Sequence, residues 1–221
     1  MAARIALIHA VRVAMDPIAA AFARGWPEAE TVNLLDDGLS RDLERRGTLE
    51  GPMTDRIGAL ASYASGLGAD AILYTCSAFG TAIDRARAAS RIPVLKPNEA
   101  MLEAALAAGR RFALVATFAS TIPSMTVELQ ALARARGVEA EITPCFVAGA
   151  MKALEAGDGA EHDRLVADAV RALAGHDACL LAQFSMARAA PAVAVAIGGK
   201  ILTSPETAVA KLRRLVEARA L

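Results

Sequence analysis

An excess of charge of either sign is missing from this 221-residue chain, which carries 24 lysines and arginines against 24 aspartates and glutamates. With no basic field to attract phosphate backbones or anionic lipid, neither nucleic acid nor membrane is an expected partner. No apolar run approaches the roughly 18 residues of a membrane span. The first ten residues read as a short buried strand and lack the longer apolar region and cleavage site of a signal peptide. Cysteine is scarce: Cys76, Cys145 and Cys179 are an odd number with no paired spacing, which excludes a disulfide framework. These absences place the protein in the cytoplasm. The three histidines, His9, His162 and His176, show no metal-ligand spacing, so no metal is expected. A phosphate-loop lysine signature and a nucleophile-elbow serine are both lacking. Gly66–Ala71 imitates a dinucleotide fingerprint but precedes a strand instead of following one, so the turn that would cradle a pyrophosphate is absent. Aromatics make up only 4% of the chain, and alanine abounds. That balance suits tightly packed helices over a narrow sheet.

What is present is a duplication. Arg4–Ile8 is answered by Arg111–Val115, Leu67–Leu73 by Ala174–Leu180, and Val94-Leu95 with Glu99 by Ile201-Leu202 with Glu206. Arg4 and Arg111, Asp70 and Asp177, and Glu99 and Glu206 are each 107 residues apart. Three segments in register argue for two similar α/β halves. Under that offset Cys76, in Tyr74-Thr75-Cys76-Ser77, falls where the second half has Gln183, in Leu181-Ala182-Gln183-Phe184-Ser185.

Short apolar runs alternate with longer helical patterns, the mark of βαβ units and parallel sheets. Strands are predicted near 4–9, 30–35, 70–75 and 92–95, then near 111–116, 138–143, 178–182 and 200–203. Helices are predicted near 16–25, 53–66, 79–89 and 97–108, then near 121–136, 147–156, 160–174, 186–197 and 205–219. The fold class is α/β: two pseudo-symmetric lobes, each a parallel four-stranded sheet flanked by helices. Residues 1–97 form the first lobe and 98–204 the second, with the closing helix 205–221 packing back on the first. Asp16-Pro17 and Ser204-Pro205 read as helix caps ahead of a first-turn proline. Gly137, after Arg134-Ala135-Arg136, reads as a helix stop. The polar stretch Asp36–Pro52 has no evident counterpart in the second half and is read as a helix-loop connection or a flap. An alanine-rich exterior favours a homodimer or higher homo-oligomer.

In parallel sheets ligands bind beyond the carboxyl ends of the strands. The turns there include His9–Arg12, Thr75–Phe79, Thr117–Thr121 and Gln183–Ser185, rich in hydroxyls and amides and poor in charge. Such turns suit a carboxylate. Cys76 follows an apolar strand and precedes a helix, so a depressed thiol pKa is expected. Cys179 reads as core and Cys145 as packing. His9 is read as a ligand donor or a structural histidine, and His162 and His176 as surface residues. Phe79, Phe184 and Met186 suggest an apolar rim, and Arg12 either binds a second carboxylate or faces solvent.

Two repeated lobes, a strand ending in Thr75-Cys76-Ser77, a mirror strand ending in Leu180-Leu181-Ala182-Gln183, the turn Thr117–Ser120 and the closing Thr203-Ser204-Pro205 together resemble the aspartate/glutamate racemase superfamily. That superfamily includes hydantoin and allantoin racemases, maleate isomerase and arylmalonate decarboxylase. The resemblance implies cofactor-independent racemase, isomerase or lyase chemistry on a small carboxylate, in a site between the lobes. It implies Cys76 as acid, base or nucleophile. It places substrate contacts on Ser77, Ala78 and neighbouring backbone N–H groups, on Thr117, Ser120 and Thr121, and near Ser185, with Gln183 as a hydrogen-bonding wall. The racemases use two opposed cysteines, whereas a glutamine amide does not titrate in the useful range. The alternative is therefore a carboxylate-binding protein that has lost its second catalytic group.

Overall fold

The computed structural model describes residues 2–49 and 51–219, and these divide into two compact units, Met1–Glu99 with Ala208–Leu221 and Ala100–Thr207. Met1, Glu50, Ala220 and Leu221, which fall within the predicted lobe and closing helix, lie outside the described residues. The first unit runs β1 (Arg4–His9), α1 (Met15–Gly25), β2 (Glu30–Leu35), α2 (Leu39–Arg46), α3 (Pro52–Gly66), β3 (Ala71–Tyr74), α4 (Gly80–Ala89) and β4 (Val94–Leu95). Helix α5 (Glu99–Ala108) then opens the second unit. There β5 (Arg111–Ala116), α6 (Thr121–Ala135), β6 (Glu141–Phe146), α7 (Ala150–Glu155), α8 (Gly159–Val170), β7 (Ala178–Leu181), α9 (Ala190–Ile197) and β8 (Ile201–Thr203) repeat the order. Helix α10 (Ser204–Glu217) follows, and from Ala208 onward it belongs to the first unit.

Each unit holds a four-stranded parallel sheet, in the order β2-β1-β3-β4 in the first and β6-β5-β7-β8 in the second. The central strands are buried on both faces, which is why they read as unbroken apolar runs instead of alternating ones. Among the described residues, no helix is long and apolar enough to cross a membrane.

The repeated residues do repeated work. Asp70 accepts the Arg4 N–H at 2.8 Å, and Asp177 accepts those of Arg110 and Arg111 at 2.7 and 2.9 Å, so each carboxylate holds the start of a central strand. The two N–H groups of Arg110 and Arg111 hold the Asp177 carboxyl below the usual range. A Cβ on Gly109 would lie 2.3 Å from Asp177 Cβ, so only glycine fits beside this clamp.

Glu99 accepts from Arg87 and from Lys211 Nζ at 3.0 Å, tying α10 to the first unit. Burial raises the Glu99 carboxyl, but Arg87 and Lys211 outweigh it, and the net direction is down.

Three differences from the predicted elements have local causes. Strand β6 begins at Glu141, 111 residues after the Glu30 that opens β2, because α6 has 15 residues against 11 in α1. One extra helical turn pushes the strand to 141–146 from the predicted 138–143. Pro144 is tolerated in β6 because that strand lies at the sheet edge. The polar stretch after Asp36 contains α2, whose topological counterpart is α7, so the two halves match there as well. Arg56 of α3 donates to Asp36 and, at 2.6 Å, to Asp42, holding the segment against the body. Asp16 is not a cap: α1 starts at Met15 with Ala14 at the N-cap, and Asp16 sits inside the first turn. Gly137 does end α6, with φ of +66°.

Candidate functional site

In both sheets the strand order reverses between the first and third strands in sequence, and the carboxyl ends of those strands form the crevice position of a parallel sheet. In the first unit these are the ends of β1 and β3. Thr75 N–H donates to Ile8 O at 3.0 Å, extending the ladder one residue past β3 and bringing Thr75 beside His9.

His9 has no exposed surface, and both of its ring nitrogens are engaged: Nδ1 lies 2.9 Å from Thr75 Oγ1, and Nε2 lies 2.9 Å from Asn33 Oδ1. With the Asn33 oxygen turned toward it, Nε2 carries the proton and Nδ1 accepts the Thr75 hydroxyl. Burial lowers the His9 pKa against the opposing effect of the Asn33 bond, so the ring is neutral near pH 7. His9 is therefore buried behind the turn with both ring nitrogens partnered inside the protein, the arrangement of the structural histidine that was the other reading. Sequence reasoning missed Asn33, an exposed residue of the half-polar edge strand Glu30–Leu35.

Cys76 comes next, in extended backbone with φ −125° and ψ 124°, and leads a 3-10 turn over Ser77–Phe79. Cys76 and Ser77 are half-buried and Ala78 is exposed. Burial pushes the Cys76 thiol above its ordinary pKa, and the Ala78 backbone N–H opposes it only in part. The expected depression is thus reversed. The physical reason is burial, and the offset stays small because α4 begins only at Gly80, so the thiol meets one N–H of a short 3-10 turn. In its resting state the thiol is neutral.

In the second unit the corresponding strand ends belong to β5 and β7. Gln183 has φ −130° and ψ 147° and leads a 3-10 helix over Phe184–Ala189, the backbone arrangement of Cys76. Its Oε1 accepts the Thr117 N–H at 2.6 Å and the Thr117 hydroxyl at 3.0 Å. Thr117 is buried and Gln183 half-buried. Ser185 is buried as well, Thr121 is half-buried at the start of α6, and Ser120 is exposed. The structure thus joins Thr117 to Gln183, while Ser120 stands outward.

Other expected residues fall differently. Phe79, Phe184 and Met186 are core side chains and form no rim; the aromatic exposed beside Thr117 is Phe118, at 49%. His162 is fully buried, with Nδ1 2.8 Å from Asp163 Oδ1, and not at the surface. His176 is half-buried, donating from Nδ1 to Leu173 O at 2.8 Å and accepting the Thr143 hydroxyl at Nε2, 2.9 Å away. Arg12 is exposed, 3.9 Å from Asp37. Cys179 lies in the core, its pKa pushed up to about 12 by burial, and Cys145 packs against the same cluster. Among the described residues no group of three His, Cys, Asp or Glu side chains is placed to hold a metal ion.

Comparison with known proteins bears on this arrangement. A sequence profile of the Asp/Glu/hydantoin racemase family matches residues 39–212. Curated proteins give no match. Aspartate racemase from Picrophilus torridus superposes with a TM-score of 0.73 at 14% identity, over 97% of this chain and 94% of that one. Allantoin racemase from Klebsiella pneumoniae gives 0.71 at 20% identity, over 99% and 89%. An arylmalonate decarboxylase gives 0.63 at 20% identity, over 96% and 92%. At these identities the likeness is one of fold.

Proposed function

Because the chain belongs to the Asp/Glu/hydantoin racemase family, we propose that it is a cofactor-independent enzyme that delivers a proton to a carbon next to a small carboxylate, with Cys76 as the donor. The observation that carries this reading is the neutral, half-buried Cys76 thiol at the carboxyl end of β3. A thiol held protonated serves as an acid at neutral pH, and the negative charge of a bound carboxylate holds the proton there still more firmly. Loss of carbon dioxide from a malonate-type carboxylate breaks the C–C bond and leaves its electron pair in an enediolate; the S–H proton passes to the carbanionic carbon, leaving a thiolate that recovers a proton from water. Ser77 and the N–H groups of the 3-10 turn hold the carboxylate beside it, and Thr75, oriented by neutral His9, fixes the backbone that presents the thiol.

Gln183 in place of a titratable group argues against a symmetric exchange of protons between two thiols. Protonation after loss of carbon dioxide fits the single protonated thiol better. One observation favours a second reading, a carboxylate-binding protein without turnover: the Thr117 donors are engaged by an amide that does not move protons.

Proton NMR of amino acids, hydantoins, maleate and substituted malonates, with wild type beside Cys76→Ser, separates the two. Conversion of any substrate that is lost in Cys76→Ser supports the enzyme. Binding of a carboxylate, unchanged in Cys76→Ser and without conversion of any substrate, supports the binding protein and sinks the proposed proton transfer.

A further inference from the structure

We propose that Gln183 is a built-in competitor for a carboxylate: its amide oxygen closes the donor pair of Thr117 until a ligand displaces it. This rests on the reading of the Thr117 turn as a carboxylate site. The oxygen sits 2.6 Å from the Thr117 N–H and 3.0 Å from its Oγ1, so one acceptor takes both donors, as a carboxylate oxygen would. Thr117 is only 4% exposed, so its N–H and hydroxyl need a partner at rest, and Gln183 provides it from 66 residues away.

The exchange favours a ligand because hydrogen bonds to a charged acceptor are roughly twice as strong as those to a neutral one. Gln183 is itself half-buried, and a side chain with three rotatable bonds has freedom to leave. A separate observation on the neighbouring strand points the same way. Thr203 ends β8 opposite Leu181, two residues before Gln183, and its buried hydroxyl has no partner among the described residues. The resting arrangement thus satisfies Thr117 through a side chain and leaves a nearby hydroxyl unserved.

Two neutral hydrogen bonds of ordinary net strength give a closing equilibrium of about tenfold or more, and a ligand's apparent affinity falls by that factor. The test is a titration with succinate at constant ionic strength, read at the Thr117 amide by nitrogen-15 NMR. Wild type, Gln183→Ala and Gln183→Glu are compared. Gln183→Ala is expected to bind succinate about tenfold more tightly. Gln183→Glu places a permanent carboxylate on the donors; its Thr117 amide is expected to move downfield before any ligand is added, and its succinate affinity to fall below that of wild type.

Equal or weaker binding in Gln183→Ala, with the Thr117 amide still responding to succinate, overturns the competitor and leaves the carboxylate site standing. An amide that responds in no variant removes the carboxylate site and the competitor together. If Gln183→Ala fails to fold, Gln183→Glu against wild type decides alone, and an unshifted amide with unchanged affinity overturns the proposal.

Discussion

Thr75→Val tests whether the chain of side chains behind Cys76 is a coupled unit. The substitution keeps shape and removes the hydroxyl that Nδ1 of His9 accepts at 2.9 Å. His9 is 0% exposed and Thr75 is 6% exposed, so no water replaces the lost donor. Leaving one buried acceptor unsatisfied costs about 1–3 kcal/mol. For a chain of this length each kcal/mol moves Tm by roughly 2–4 °C, so Thr75→Val should melt about 2–12 °C below wild type. Thr75→Ser, which keeps the hydroxyl, should stay close to wild type. The informative comparison is a double-mutant cycle read by thermal melting. In a His9→Phe background the acceptor is gone, and the cost of Thr75→Val should shrink below about 1 kcal/mol. Equal costs in the two backgrounds would refute the coupling.

Other expectations follow from the same geometry. Iodoacetamide should modify Cys76 slowly at pH 7 and faster only above the ordinary thiol range, in contrast to a depressed thiol that would react at neutral pH. Gly109→Ala forces a methyl to within 2.3 Å of Asp177 Cβ; the overpacking should cost about 1–3 kcal/mol and lower the urea midpoint. Glu99, held down by Arg87 and Lys211, contributes stability that is complete above its unfolded pKa of about 4.3 and is lost as pH falls through its lower folded value. Glu99→Gln should therefore flatten the acid limb of the stability profile measured by denaturant titration.

The strands were legible because parallel strands buried on both faces leave apolar runs, and because Asp70 and Asp177 do the same clamping work at the same spacing. The placement of the hydroxyl-bearing turns followed from the strand ends. What failed depended on distances along the chain that a repeat does not encode. The extra turn of α6 moved β6, and no fixed offset carries that information. His162 sits in a charged window beside Glu161 and Asp163, yet it is spaced four and eight residues from buried Val166 and Val170. The helical stripe was the better guide. The rise in the Cys76 pKa comes from side chains gathered around it in space, and the bond from Gln183 to Thr117 joins residues 66 apart. Neither leaves a local mark in the sequence. Asn33 left none either: it is one of three polar residues in the edge strand Glu30–Leu35, and only the fold brings its amide to His9.

The most direct test of Cys76 as a proton donor is the pH dependence of turnover on the first substrate found to depend on it. An acid must be protonated to act, so kcat should hold level through neutral pH and fall on the alkaline side as the raised thiol pKa is passed. A kcat that climbs with pH toward the thiolate would contradict the account and make Cys76 a base or a nucleophile.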